Sequence, residues 1–266
     1  MHVISDAEFG HFQRFIYDAA GISLSPGKKA LVCGRLSKRL QARELTTFSE
    51  YFRLLKGGDA AEVQLAVDLL TTNETYFFRE PRHFDMLRDL AQAHRARTQQ
   101  PMRVWSAACS SGEEPYSIAM VLADVLGDAG WELMGSDISM RMLERSRLGH
   151  YPLERTRHIP NQYLKRYCLR GIGEQAGTLL VERALRSRVD FRQINLNTAL
   201  PSMAPFDVVF LRNVMIYFNA ETKRQVVSRI VSLIRPGGHF MIGHSESLND
   251  ISDAVVPVAP SIYRKP

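Results

Sequence analysis

The 266-residue sequence predicts a doubly wound α/β domain built on a parallel sheet, preceded by an all-helical region. Three observations predict it. No strand pattern occurs before residue 100, strand-like runs alternate with helices from Met102 onward, and one strand–turn–helix–strand unit closes on an acid. That unit is Arg103-Val-Trp-Ser-Ala-Ala-Cys-Ser-Ser-Gly-Glu-Glu-Pro-Tyr-Ser117, followed by Glu132-Leu-Met-Gly-Ser-Asp137. An apolar run ends in small residues and Gly112, an amphipathic helix follows at once, and Asp137 stands 25 residues past the glycine. This is the pattern of the nucleotide-binding half of such a fold.

The elements follow in order. Residues 1–72 read as helical, with Phe9, Phe12, Phe15 and Ile16 at helical spacing. Ser25-Pro26 reads as an N-cap and first-turn pair opening a helix to about Arg43. Val32, Leu36 and Leu40 line one side of that helix, and Arg35, Lys38 and Arg39 cluster on another. Gly57-Gly58 separates two further helical stretches. The α/β domain is assigned to 73–266, with strands at 103–107, 132–136, 189–194, 207–211, 239–243 and near 261–264. Ile118, Val121, Leu122 and Val125 mark its first helix; Val226, Val227, Ile230 and Ile234 mark a later one, ended by Pro236-Gly-Gly238. Residues 148–188 interrupt the alternation and are too many for a structureless loop. Gly171-Ile-Gly173 and Gly177 read as turns between short strands, so this segment is expected to be a small inserted subdomain.

Composition sets the class. An apolar content of 45% with 23% charged residues is that of a soluble globular protein. No run approaches the ~18–20 apolar residues that cross a bilayer, since 206–218 is broken by Asp207, Arg212 and Asn213. No basic n-region precedes an apolar core at the N-terminus, and Cys33, Cys109 and Cys168 lack metal-ligand spacing. The expectation is a reduced, cytoplasmic chain that neither inserts into membranes nor carries a metal. The net charge of +6 favours an acidic partner: nucleic acid, anionic lipid or an acidic protein surface.

The turn after the first strand bears on the ligand. A pyrophosphate site wants three glycines; here Gly112 stands alone and Glu113 and Glu114 open the helix. Carboxylates there repel phosphate and suit a cation, which points to S-adenosylmethionine (SAM). Asp137 is placed for the ribose hydroxyls and Asn195, ending the third strand, for the adenine. The plainer reading, in which the acids answer the helix dipole and Asp137 begins a turn, stays open on spacing, as does the choice between the two glutamates. In Thr71-Thr-Asn-Glu-Thr-Tyr-Phe-Phe-Arg79 the polar residues Asn73, Thr75 and Arg79 interleave with aromatics. Arg79 suits a cofactor carboxylate, or is an exposed arginine of a capped helix. Phe206-Asp-Val-Val-Phe-Leu-Arg-Asn-Val-Met-Ile-Tyr-Phe218 carries a buried strand into Arg212-Asn213, a costly pair unless partnered, with Tyr217 four residues on. Gly243-His-Ser-Glu-Ser247 is set aside as a hydrolase elbow because its last position is not glycine and no histidine follows His244. Cys109 reads as packing, and the eight histidines show no His-x-x-x-His spacing.

Five blocks together resemble the CheR family of SAM-dependent methyltransferases, which esterify glutamates on bacterial chemoreceptors. They are Thr71-Thr-Asn-Glu-Thr-Tyr-Phe-Phe-Arg-Glu80, Val104-Trp-Ser-Ala-Ala-Cys-Ser-Ser-Gly-Glu-Glu-Pro-Tyr-Ser-Ile-Ala119, Ser136-Asp137, Arg212-Asn-Val-Met-Ile-Tyr-Phe218 and Gly243-His-Ser-Glu246. The resemblance implies a Rossmann-like class I SAM methyltransferase domain with an inserted antiparallel β-subdomain, behind an all-α receptor-docking domain. By motif position it implies SAM contacts at Asn73, Thr75, Arg79, Glu114, Asp137, Asn195, Leu196, Arg212 and Asn213, which selects Glu114 over Glu113. It places Tyr217, with Arg212, beside the transferred methyl and gives Arg35, Lys38 and Arg39 to the receptor's acidic helices. Gln41 departs from members that carry a further arginine there. The implied partners are chemoreceptor cytoplasmic domains, with the β-subdomain a plausible grip for a receptor tail; the chain is read as a monomer with no nucleic-acid partner. Two other readings are weighed: a nucleic-acid methyltransferase, whose Asn/Asp-Pro-Pro-Tyr/Phe motif is replaced here by Arg212-Asn-Val-Met, and a non-catalytic scaffold that keeps SAM as a structural ligand.

Overall fold

The computed structural model describes residues 2–127 and 130–266. Four helices come first: α1 (Asp6–Ala20), α2 (Lys29–Ala42), α3 (Phe48–Lys56) and α4 (Ala60–Leu70). Ser5 and Glu8 form a reciprocal capping box at the head of α1, and the second Glu8 oxygen takes the Ser49 N–H of α3 at 2.9 Å. The same box recurs at α3 with Thr47 and Glu50. The start of α2 differs from expectation. Pro26–Lys28 forms a 3₁₀ turn before the α-helix, and the Ser25 side chain caps nothing. The apolar stripe of α2 is as predicted: Val32, Leu36 and Leu40 are fully buried.

The buried acid Glu62, in the first turn of α4, ties this bundle together. It accepts from Arg39 at 2.8 and 2.6 Å, from Arg43 at 2.8 Å and from the Tyr51 hydroxyl at 2.8 Å. Arg39 therefore serves the interior rather than a free basic face.

Next come α5 (Arg82–Arg97), β1 (Met102–Ser106), α6 (Glu113–Leu126), β2 (Trp131–Asp137) and α7 (Met140–Leu148). The insertion holds β3 (His150–Pro152), α8 (Asn161–Tyr167), β4 (Cys168–Arg170), β5 (Thr178–Val181) and α9 (Arg183–Arg186). Its strands form an antiparallel sheet in the order β3-β5-β4, and Gly171–Gly177 lies in the β4–β5 connection as expected. The chain closes with β6 (Val189–Gln193), β7 (Phe206–Leu211), α10 (Ala220–Ser232), β8 (Ile234–Ile242), β9 (Val256–Ala259) and β10 (Ile262–Arg264).

The main sheet runs β6-β2-β1-β7-β8-β10-β9, with five parallel strands and an antiparallel β10–β9 edge. The order reverses between β1 and β7, so a crevice opens at their carboxyl ends. Both faces are covered: Val208 and Phe210 of β7 join the core under α5, α6 and the insertion, while Val209 and Leu211 join the core under α10 and the N-terminal helices. Two elements depart from the sequence reading. Pro236-Gly237-Gly238 does not end a helix; α10 stops at Ser232 and these residues lie inside β8, where the β7 pairing slips between Phe206 and Val208. The edge strand β9 has no counterpart in the sequence reading, its Pro257 having hidden the pattern. No helix among the described residues is long and apolar enough to cross a membrane.

Besides the shared apolar core, main-chain groups join the two parts. Ile22 bridges Phe218, the Ser23 N–H donates to the Tyr217 carbonyl at 2.8 Å, and the Asn195 amide donates to the Ala19 carbonyl at 2.7 Å. Gly21 is left-handed (φ 71°), and a Cβ there would lie 2.7 Å from Thr222 Cγ2. A side chain would push the bundle off the α/β domain.

Arg39 first, then Tyr51 and Arg43, hold Glu62 at a pKa of about 2 against its burial, below the ordinary 4.5. A depressed carboxylate stabilises the fold above its unfolded pKa and loses that stabilisation as pH falls towards the folded value. Glu62→Gln is expected to lower the unfolding free energy by about 2 kcal/mol at neutral pH. In urea denaturation against pH, the gap to the parent narrows from about pH 5 down to about pH 2.

Candidate active site

The crevice is built on the β1–α6 turn. Gly112 sits at φ 95°, where a Cβ would lie 2.9 Å from Ser146 Cβ and from the Tyr151 hydroxyl, so only glycine fits. Ser110, also left-handed (φ 48°), points its N–H at Asp137 Oδ2 at 2.8 Å, and Ser139 N–H takes Oδ1 at 2.9 Å. Burial pushes the Asp137 carboxyl up, against those two backbone donors.

The two acids that open α6 diverge. Glu113 is fully buried, accepts from Ser111 Oγ at 2.6 Å and pairs with Arg155 of the insertion at 3.2 Å. Glu114 accepts from Ser106 Oγ at 2.7 Å and from Arg212 Nη1 at 2.8 Å, and it alone of the two lines the crevice. Glu113 is thus turned to the insertion and Glu114 to the cavity.

Arg212, 6% exposed, is spent on neighbours. Besides Glu114 it donates through Nε and Nη2 to Glu80 Oε2 at 3.3 and 3.0 Å, and to the Arg79 carbonyl. The other Glu80 oxygen takes the His244 N–H at 3.2 Å and Asn213 Nδ2 at 3.4 Å. Burial works against ionisation of Glu80, but Arg212 and these donors hold its carboxyl below the ordinary range. Behind it, burial and then Arg212 push the His83 imidazole down to about 3. Glu246 of the Gly-His-Ser-Glu block is a loop clamp rather than part of a nucleophile elbow. Its carboxylate gathers the N–H groups of Asn213 at 2.9 Å, Gly243 at 2.7 Å and Ile216 at 3.3 Å. Cys109 is buried and its thiol pushed well up by that burial and by Asp137 and Glu114, which suits packing and not nucleophilic attack.

The crevice spans about 890 Å³ free of protein atoms, open solvent at its mouth included. Asn73, Thr75, Arg79, Glu114, Asp137, Asn195, Leu196, Arg212, Asn213 and Tyr217 all line it, so the structure brings every predicted cofactor residue to one place. Ala20 and Ile22 of the N-terminal part complete the wall. Arg79 touches only the Glu74 carbonyl at 3.2 Å and the Tyr76 ring, leaving its charge without a carboxylate partner among the described residues. The Tyr217 hydroxyl makes no hydrogen bond among them. Asn195 lines the cavity, but its amide is committed to Ala19 and to the Asn197 N–H at 2.9 Å. The proposed docking trio lies apart. Arg35 donates to the Leu70 and Thr71 carbonyls at 3.2 and 3.0 Å, Arg39 to Glu62, and only Lys38 is exposed. The donor set fits a cationic cofactor: two buried acids face the space, and of the two arginines there one is neutralised.

The family models of the all-α domain and the SAM-binding domain of CheR methyltransferase match residues 7–71 and 73–262. The chain belongs to the CheR methyltransferase family. A chemotaxis protein methyltransferase 2 of Pseudomonas aeruginosa is 45% identical over 96% of this chain and 92% of its own length. The Escherichia coli chemotaxis protein methyltransferase is 42% identical over 98% and 91%, and that of Salmonella typhimurium 41% over 93% and 86%. As a CheR protein, the chain uses SAM as its methyl donor.

Sequence reasoning assigned no role to Glu80 and Glu246. The cost of burying Arg212 was the signal that could have found Glu80, since a buried guanidinium demands acids. Glu80→Gln, which leaves Arg212 one carboxylate, is expected to lower the unfolding free energy by about 2–3 kcal/mol in urea denaturation. Gln at Glu113, whose partner Arg155 is part-exposed, should cost less.

Proposed function

We propose that the protein transfers a methyl group from SAM to glutamate side chains of chemoreceptor cytoplasmic domains, forming γ-methyl esters that serve adaptation in the cytoplasm. The observation that carries this reading is the pairing of Asp137 and Glu114 on a cavity whose buried arginine is already neutralised. The names of the CheR relatives support the chemotactic setting.

In this reading Asp137 accepts from the ribose hydroxyls, Arg79 takes the amino-acid carboxylate, and Leu196 with Asn195 borders the adenine. Asn73 and Thr75 hold the linker that roofs the cavity; the Asn73 carbonyl accepts from Ser110 Oγ at 2.9 Å. When bound, SAM supplies a sulfonium-activated methyl that a carboxylate takes directly, leaving S-adenosylhomocysteine. A glutamate with pKa near ~4.3 is ionised at neutral pH, so no residue need remove a proton. Catalysis then rests on positioning and desolvation. Arg212, already held by Glu80 and Glu114, organises the pocket without clamping the nucleophile, and Asn213 turns the chain towards Tyr217. The free Tyr217 hydroxyl is the group beside the transferred methyl.

Docking centres on exposed Lys38 rather than on the whole trio, because Arg35 and Arg39 shape α2 from within. A groove lined by Arg141, Arg145 and Arg155 opens next to Asn73 and Glu74, offering positive charge to acidic receptor helices. A receptor tail fits the free edge of β4, where Leu169 and Ile172 stand exposed, by strand addition.

Labelled methyl transfer to receptor fragments with and without their C-terminal tail, read as base-labile methanol, tests the assignment; a chain that binds SAM but labels no receptor glutamate overturns it. Tyr217→Phe should keep SAM affinity while slowing transfer, and Asp137→Ala should weaken SAM and S-adenosylhomocysteine alike in calorimetry. Lys38→Glu is expected to raise KM for the receptor with cofactor affinity unchanged. Arg39→Ala should instead reduce stability, visible as a lower Tm.

A further inference from the structure

Behind Arg212, on the side away from the cavity, Glu80, His83 and His244 bring one carboxylate and two imidazoles together, with ligand atoms all within 4.8 Å of one another. His83 is fully buried on α5. Its Nε2 lies 2.9 Å from Ser261 Oγ, and that hydroxyl donates its single proton to the Pro260 carbonyl at 2.7 Å. With Nε2 turned to Ser261, Nδ1 faces Glu80 Oε2 at 3.5 Å and has no hydrogen-bond partner among the described residues.

A metal ion can take a lone pair from each of these three side chains at once. His244 Nε2 lies 4.0 Å from the same Glu80 oxygen, on the solvent side. Tetrahedral zinc, with bonds of about 2.0–2.1 Å, holds its ligand atoms roughly 3.3 Å apart, so the 3.5 and 4.0 Å separations from Glu80 Oε2 must close slightly on binding. Two imidazoles and a carboxylate with a fourth position open to solvent is a ligand set that zinc accepts. The hydrogen bond between Nε2 and Ser261 supplies the outer contact that orients a ligating histidine. A surface groove lined by Asp85, Asp89 and His244 gives access. Glu80 Oε2 is also the oxygen that Arg212 holds, so a metal and the guanidinium compete for it.

We propose that Glu80, His83 and His244 form a zinc-binding site which, when filled, draws Glu80 away from Arg212 and loosens the cofactor cavity. The site is independent of the receptor reading; only its effect on the cavity rests on the SAM assignment. Calorimetric titration of the chelator-treated full chain with zinc chloride should show one zinc per chain. His244→Ala, a change at an exposed side chain, should weaken it by at least about tenfold. A Cys33→Ser/Cys168→Ser variant should bind as the parent does, which excludes thiolate ligation. Cobalt(II) should give the visible absorption of a four-coordinate site without thiolate charge transfer. By linkage, zinc should lower S-adenosylhomocysteine affinity in the parent and not in His244→Ala. No saturable binding, or equal binding by His244→Ala, overturns the site. Zinc binding that leaves S-adenosylhomocysteine affinity unchanged overturns the coupling.

Discussion

The site depends on a single buried cation. Leaving a guanidinium unpaired in a protein interior costs several kcal/mol, so Arg212 can stand at the end of β7 only where acids come to meet it. Glu114 arrives from the first turn of α6 and Glu80 from the segment before α5, and the Arg79 carbonyl adds a third acceptor. Three stretches far apart in sequence are thereby pinned to one point. Two acids around one base also leave the local balance negative. With Asp137 nearby, that balance favours a cationic ligand over a phosphate.

Backbone strain gathers around the same point. Phe78, Glu80, Ser110 and Asn213 all have positive φ without being glycine, and each flanks the cavity or its arginine. Three are held by hydrogen bonds to their own N–H: Phe78 to Ser117 Oγ at 2.9 Å, Ser110 to Asp137 and Asn213 to Glu246. Sparsely populated conformations persist where surroundings over-determine them. Here the surroundings are acids and a hydroxyl on neighbouring elements, so the loops around the cavity are shaped by the scaffold.

Much of this was legible in the sequence because its cause was local. Gly112 with the small residues before it, the apolar run along 206–211 and the α2 stripe each follow from a pattern that packing enforces. The divergence of Glu113 and Glu114 was not legible: adjacent helical positions point about 100° apart, and what lies in each direction is decided by Arg155 and Arg212, distant in the chain. The partners of Arg35 and Arg39 were hidden for the same reason, since they sit on α4 and the linker after it. Pro236-Gly-Gly238 and Pro257 have the composition of breaks, yet they lie within strands because one pairing slips and the other strand is at an edge. The histidines were invisible as a group because their meeting is purely tertiary.

The seam between the helical bundle and the α/β domain has a consequence for how receptor recognition can change. The Ile22–Phe218 bridge and the Ser23-to-Tyr217 bond are drawn between peptide groups, and the Asn195 amide likewise reads a carbonyl. Peptide groups are the same whatever side chain they carry. The loop bearing Tyr217 thus keeps these contacts whatever side chain stands at Ser23 or at exposed Ile216, and those surfaces are open to respecification for a new acceptor without disturbing the seam.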